Sequence, residues 1–372
     1  MIIKNKILKE VCNKLLYAVD SDDMSVITET LSLKVINEYL YLSVTNREYF
    51  VKIKIPAPGI NNFNATVNAN IFLKLINQIT VDDVELLIEE NCLVINGNGK
   101  YKLPMIFDGD KLLNLPEITI INKTLNFNIS IDILKNIYTY NSKEFNKGIV
   151  SLPSQKMYYI DNKGCITFTT GACVTNFSLP NDIKILLPPK IVKLFKLFTD
   201  NEINFSLGYD IADDGVSILP KASFSTNDIE IVSILCNDDS IINSVPVEAI
   251  RKRANEIYPH TIVLNKHELL QTINRLMLFT NKSISNKSYA IMDFFNEEVI
   301  IYDKDKENNE TIKYQNKVKT LDNNYTLIVD LNDLKLVVET IKDEFITICF
   351  GNNQAIVIQR QNICNIIPEC NI

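Results

Sequence analysis

The sequence has no tryptophan, two histidines (His260 and His267), ten glycines and twelve prolines in 372 residues. With so few histidines and no C-x-x-C pair among eight scattered cysteines, neither a zinc site nor a disulfide framework is indicated, and the thiols read as reduced. No run of about 18 uncharged apolar residues occurs, so no helix is expected to span a membrane. The opening Met1-Ile2-Ile3-Lys4-Asn5-Lys6 lacks the basic-then-apolar order of a signal peptide, which predicts a soluble, cytoplasmic protein. Also missing are G-x-S-x-G, H-E-x-x-H and G-x-G-x-x-G. No metal and no cofactor is expected, and composition alone reveals no activity.

The remaining hints of chemistry have simpler readings. Asn96-Gly97-Asn98-Gly99-Lys100 lacks phosphate-loop spacing and lies between two alternating runs, which predicts a hairpin turn using the positive φ of Asn-Gly. Asp82-Asp83, Asp213-Asp214 and Asp238-Asp239 each lie where an apolar run stops, so they read as solvated loop acids, with Asp213-Asp214-Gly215 as a turn. His260 and His267 are read as surface or capping residues rather than a general base.

What the sequence does contain is a repeat. Ala65–Ile79, Ile185–Phe198 and Leu327–Ile341 share one pattern: an extended apolar run, a short polar or proline break, then an amphipathic helix. Further helix-like segments, Lys6–Val19, Ile131–Ser142 and Lys266–Asn281, precede them by about 60 residues. The chain therefore reads as three α+β units of two helices and antiparallel strands each, 1–121, 122–253 and 254–372. The six helical segments, taken for this count as Asn5–Val19, Ala69–Ile79, Asp132–Lys147, Lys190–Thr199, Asn265–Lys282 and Asn332–Asp343, together carry +8, leaving −15 elsewhere in a chain of net charge −7. In the fourth, Lys190, Lys193 and Lys196 share one arc and Ile191, Leu194, Phe195 and Phe198 the opposite one. One such helix is an ordinary solvated face; six in three repeats suit a polyanion.

Thr66-Val67-Asn68-Ala69-Asn70, Leu187-Pro188-Pro189-Lys190, Phe168-Thr169-Thr170-Gly171-Ala172-Cys173-Val174 and the ending Ile366-Ile367-Pro368-Glu369-Cys370-Asn371-Ile372 resemble, in order and spacing, T-V-P-A-R, V-P-R-K, A-T-D-G-H-R-L and V-M-P-M-R-L of the bacterial DNA polymerase III beta subunit, the sliding clamp. The resemblance runs along essentially the whole chain but is one of pattern. Of Asp-Gly-His-Arg only Gly171 is retained, and the family's F-P-D-Y segment is replaced by Asn237–Pro246. Such divergence suggests a phage or an unusual lineage.

The resemblance implies a head-to-tail homodimer, a ring whose helices surround duplex DNA without reading its sequence. The ring has no enzymatic activity and tethers a replicative polymerase. A clamp loader and other proteins with short hydrophobic motifs are the further partners implied. Lys9, Lys14, Lys74, Lys135, Lys190, Lys193, Lys196 and Arg275 are expected to line the hole. Leu152, Thr169, Gly171, Ala172, Cys173, Val174, Ile241, Ile242, Ile366, Ile367 and Pro368 correspond to an apolar pocket for partner peptides, the alternative being that they only pack the second and third domains together. Leu278 and Phe279 are expected to meet a strand containing Tyr101 and Leu103 across the dimer interface, or else to be core. Two other functions are considered: a clamp-like adaptor that does not encircle DNA, favoured by the acidic sixth helix, and an enzyme with a cryptic acid pair.

Overall fold

The computed structural model describes residues 1–19, 25–60, 62–146, 152–180, 182–212, 215–236, 238–280, 287–317, 324–351 and 355–370. The Asp213-Asp214 turn lies outside the described residues. Eight α-helices occur among the described residues: α1 (Asn5–Leu15), α2 (Ala69–Gln78), α3 (Ile131–Tyr140), α4 (Pro189–Leu194), α5 (Asp239–Asn243), α6 (Val247–Ala254), α7 (Lys266–Leu276) and α8 (Leu331–Glu339). Six match the helical segments read from the sequence, and α5 and α6 are additional. α3 and α4 are shorter than expected at their C-termini because the chain tightens there into 3-10 turns, Asn141–Asn146 and Phe195–Leu197.

The polar break before a helix is a cap. The side chains of Asn68, Asn265 and Asp330 accept hydrogen bonds from the amides of Ile71, Glu268 and Asn332 at 3.0, 3.1 and 3.0 Å, satisfying donors that the first turns of α2, α7 and α8 leave free. The strands show the period of two expected of a sheet with one covered face. In Thr30–Ile36, Leu31, Leu33 and Val35 are buried while Ser32, Lys34 and Ile36 are not.

The chain divides into two compact units. The first, Met1–Leu134 with Lys190–Asn237, holds a four-stranded sheet ordered Ile2–Lys4, Asp83–Glu89, Cys92–Asn96, Lys100–Pro104. It also holds an eight-stranded sheet ordered Asn64–Asn68, Thr30–Ile36, Tyr39–Thr45, Tyr49–Pro56, Ile229–Ile234, Ile218–Ser225, Glu202–Ile211, Asn122–Ser130. The connector 113–121 crosses to Asn122–Ser130 under restraint: Lys52 pairs with Glu117, the Lys221 ammonium donates to the Thr119 carbonyl at 2.8 Å, and the Ile121 amide donates to Asp210 at 2.7 Å. Lys221 and Asp210 are themselves an ion pair, 7% and 8% exposed.

The second unit, Lys135–Pro189 with Asp238–Ile372, holds a nine-stranded sheet. Its order is Lys184–Leu187, Tyr158–Asp161, Gly164–Phe168, Ala172–Asn176, Ile363–Pro368, Ala355–Arg360, Phe345–Phe350, His260–Asn265, Asn316–Lys317. A four-stranded sheet follows the order Asn309–Lys313, Glu298–Asp303, Tyr289–Phe294, Tyr325–Asp330. A core including Leu264, Ile273, Phe294, Val337 and Phe350 lies among these strands and helices α7 and α8.

Apart from the two-stranded sheet Phe107–Asp108 with Lys111–Leu112 and the short strand Asn316–Lys317, one rule generates the sheets. Six times, a strand that leads directly into a helix stands beside a three-stranded antiparallel meander, and the last meander strand forms the far edge. Two pairs of far edges join within the chain, Tyr49–Pro56 to Ile229–Ile234 through Val51 and Ile231, and Ala172–Asn176 to Ile363–Pro368 through Cys173 and Asn365. The other two far edges, Lys100–Pro104 and Asn309–Lys313, have no strand beyond them among the described residues.

The Asn96–Lys100 turn forms, with Asn96 opposite Lys100, but neither Gly97 nor Gly99 has positive φ. Gly97 is required for a different reason: a Cβ there would stand 2.9 Å from Ile79 Cγ2.

Candidate functional site

On α1, Leu8, Val11, Cys12 and Leu15 are buried, leaving Lys9 and Lys14 half-buried; Lys14 is paired with Glu10 one turn back at 3.0 Å. α1 packs against α2, where Phe72, Leu73 and Ile76 turn inward and Lys74 is exposed. In and just beyond α4, Ile191, Leu194, Phe195 and Phe198 are buried and Lys190, Lys193 and Lys196 are exposed, as the arcs predict. The Lys196 ammonium lies 4.9 Å from the ring centroid of Tyr17, a 60% exposed residue just after α1. Tyr17 was invisible to a reading that searched for charge. In the second unit, Lys135 is exposed on α3. Arg275 on α7 is exposed yet held by Glu310 through two bonds, Nε to Oε1 at 2.6 Å and Nη2 to Oε2 at 2.5 Å. The guanidinium's hydrogen bonds also hold the Glu310 carboxyl below the usual range.

The residues matched to a peptide pocket divide into two sets. Leu152, 44% exposed, stands at the start of the 3-10 turn Pro153–Lys156, whose Ser154 and Gln155 reach the Ser244 hydroxyl at 2.8 Å and the Thr169 carbonyl at 3.2 Å. Gly171 lies against Ile366 and Pro368: an added Cβ would sit 2.3 Å from the Ile366 carbonyl oxygen and 3.3 Å from Pro368 Cδ. Leu152, Thr169, Gly171 and Pro368 are therefore gathered in one neighbourhood. By contrast, Ala172, Cys173, Val174, Ile366 and Ile367 are 5% exposed or less, strand residues covered by the protein's own atoms. They form a floor rather than an accessible lining. Ile241 and Ile242 are half-buried on α5.

This neighbourhood is less apolar than the sequence suggests. Glu144, 1% exposed, accepts from the Thr169 hydroxyl at 3.0 Å and lies 3.3 Å from the position of a Cβ on Gly171. Nearby in sequence, Tyr140 receives the Arg360 guanidinium 4.6 Å from its ring centroid, and Arg360 also donates to Asn365 at 2.5 Å. Burial holds Arg360 below its ordinary pKa. Glu144 escaped detection because it follows α3, where it counted only as one more helix charge.

Of the residues assigned to a dimer contact, Leu278 and Phe279 are 80% and 57% exposed just after α7, which removes the core alternative for both. Tyr101 is 36% exposed on the edge strand, whereas Leu103 is 6% exposed and belongs to its own sheet's interior. On the same edge, Lys100 and Lys102 both reach Glu89, at 2.6 and 3.2 Å. His267 is a surface residue bonded to Gln271, while His260 is a strand residue whose ring lies 5.3 Å from that of Phe350.

No protein-family model and no curated protein sequence matches the chain. Solved structures do. The DNA polymerase III beta subunit of Pseudomonas aeruginosa aligns over 100% of both chains with a TM-score of 0.80 at 13% identity. The beta subunit of Thermotoga maritima aligns over 100% of this chain and 99% of its own, at 0.78 and 16%. The Helicobacter pylori beta clamp aligns over 100% of both, at 0.74 and 19%. The chain has the sliding-clamp fold. More narrowly, it is the fold of the bacterial DNA polymerase III beta subunit, reached at low sequence identity.

Proposed function

We propose that this chain is a processivity clamp: two copies close head to tail into a ring of six domains, 1–121, 122–253 and 254–372 from each, that encircles duplex DNA and tethers a polymerase to it. The observation that carries the reading is the pattern of sheet edges. Two of the three kinds of edge-to-edge junction that a threefold repeat calls for are made within the chain, and the third needs Lys100–Pro104 of one copy against Asn309–Lys313 of another. An exposed edge strand is a template for pairing, and Leu278 and Phe279 supply apolar surface for such a closure.

DNA contact falls to Lys9, Lys14, Lys74, Lys135, Lys190, Lys193, Lys196 and Arg275. A ring holds DNA by topology, so flexible point charges that attract phosphate without reading bases suffice. Partner proteins, the polymerase and a clamp loader among them, dock by short apolar motifs at Leu152, Thr169, Gly171 and Pro368. The test is retention: loaded protein should stay on a closed circular duplex and slide off once the circle is cut. Equal retention on both forms refutes encirclement.

The adaptor reading keeps one observation in its favour. α8 carries Asp333 and Glu339 against Lys335, and Arg275 and Lys14 are both engaged by glutamates. Failure to load on any circle, with polymerase binding intact, would favour it.

A further inference from the structure

The kind of edge-to-edge junction that would close a ring is already made twice within the chain, and both copies share one register. Starting two residues before α2, the path across the sheet runs Val67, Leu31, Val44, Val51, and the junction sets Val51 opposite Ile231. Starting two residues before α4 it runs Leu187, Tyr158, Thr167, Cys173, and Cys173 stands opposite Asn365. Starting two residues before α8 it runs Val329, Ala290, Asp303 and then Asn308, whose carbonyl accepts from the Asp303 amide at 2.9 Å. Asn308, at the start of one open edge, is therefore the counterpart of Val51 and Cys173.

The other side of the junction counts in the same way. From two residues before α1, α3 and α7 the paths run Ile3, Val84, Gly97, Gly99; Ile129, Ile203, Thr226, Ile229; and Leu264, Ile346, Arg360, Ile363. Two residues farther along stand Tyr101, Ile231 and Asn365, and the last two are the residues that Val51 and Cys173 meet. Tyr101 is thus their counterpart on the second open edge. Backbone bonding agrees. Asn308 gives its carbonyl to Asp303, and the Met105 amide donates to the Asn91 carbonyl at 2.9 Å, so alternation turns the N–H and C=O of Tyr101, four residues earlier, into its own sheet as well. The side chains agree too: Glu310 accepts from Thr272 on α7 at 2.8 Å and Ile312 is buried, which places Asn308 on the helix-facing side, as buried Leu103 places Tyr101.

We propose that the ring closes with Tyr101 of one copy directly opposite Asn308 of the other, the ladder running from Gly99 opposite Glu310 to Lys102 opposite Glu307. This register rests on the clamp reading above and fixes which residues meet. Lys102 and Glu307 are both exposed and carry opposite charges, a pairing that stabilises a ladder. A shift by one residue would set the helix-facing side chains of one edge beside the outward-facing ones of the other, and a shift by two would separate Lys102 from Glu307.

The test is disulfide trapping in the full chain. Directly opposite residues whose backbone groups point away from each other have Cα atoms about 4.5 Å apart, within disulfide reach, whereas diagonal neighbours stand about 7–8 Å apart. The double variant Tyr101→Cys and Asn308→Cys, once oxidised, should run as a covalent dimer on a non-reducing denaturing gel. Lys102→Cys with Asn309→Cys, the pair that a two-residue slip would bring together, should cross-link roughly tenfold more slowly or not at all. The unaltered chain, with its eight native cysteines, and each single variant should run as monomers. The register is overturned if the slipped pair links as fast as the first, or if Tyr101→Cys alone links, which would mean that like edges meet. Light scattering separates the register from the ring itself. A double variant that holds the doubled mass yet does not link refutes the register, and an unaltered chain that never doubles its mass refutes the clamp reading and the register with it.

Discussion

Replacing Leu278 and Phe279 together by aspartate tests the ring directly, because both side chains are already exposed and their loss removes little from the folded chain. Full burial of a leucine or phenylalanine is worth about 1.5–3 kcal/mol. Scaled by their exposures of 80% and 57%, covering both at an interface contributes about 2–4 kcal/mol. At 1.4 kcal/mol per factor of ten, the double variant should weaken each interface by roughly 30- to 700-fold, and the aspartates' desolvation adds to that. Light scattering through a dilution series should give twice the 42.4 kDa chain mass for the unaltered protein and the single chain mass for the variant, with circular dichroism unchanged. A variant that keeps the doubled mass throughout the same series would refute the placement of these residues in the junction.

Changing Lys190, Lys193 and Lys196 to glutamate should make the plot of log affinity for duplex against log salt shallower by about 2.7, at roughly 0.9 per phosphate contact; an unchanged slope would mean that α4 faces away from DNA. Lys221→Met, which strands the buried Asp210 carboxylate, should cost about 3–5 kcal/mol in urea unfolding, and adding Asp210→Asn should recover much of it. Burial pushes the Asp210 carboxyl up, but hydrogen bonds from Lys221 and the Ile121 amide outweigh it and hold the pKa below its ordinary value. This contribution is thus fully present above the unfolded value of about 3.9 and lost as pH falls through the lower folded value, so the Tm gap between the unaltered protein and the double variant should narrow below about pH 4. Leu152→Asp should abolish capture of a polymerase bearing an apolar motif without altering ring mass, whereas Val174→Asp, which buries a charge in the sheet, should lose the fold as well.

The repeat was legible because its physical markers are local. Asn68, Asn265 and Asp330 announce helices by capping them, and the lysine and aliphatic arcs of the fourth helix follow from a fixed angular step. The short apolar run Ala172-Cys173-Val174 carried no comparable marker: four to eight apolar residues suit a pocket wall and a buried strand equally, and only the neighbouring strand Ile363–Pro368, nearly two hundred residues away in sequence, decides for burial. α5, five residues long and made of Asp, Ser, Ile and Asn, is too short to show a helical period, whereas α6 has a local marker in the helix formers Glu248, Ala249, Arg251 and Lys252 after Pro246. The ion pair of Arg251 with Asp161, 90 positions apart, is a product of tertiary contact alone.

A chain of net charge −7 is an unpromising DNA ligand, yet the proposed clamp does not need a basic protein. At physiological salt the Debye length is about 8 Å, so a lysine near a phosphate feels it at nearly full strength while acids farther away are screened. The −15 carried outside the six helical segments then has little effect on DNA held against the helices, but it opposes DNA lying along the strands. A separation of charge between helices and strands thus selects where DNA sits without specifying any single contact. Such a requirement falls on the sign of surfaces and the pairing of edges rather than on particular residues, and in the proposed clamp it is met by the lysine arcs and free edge strands of a fold shared at 13–19% identity.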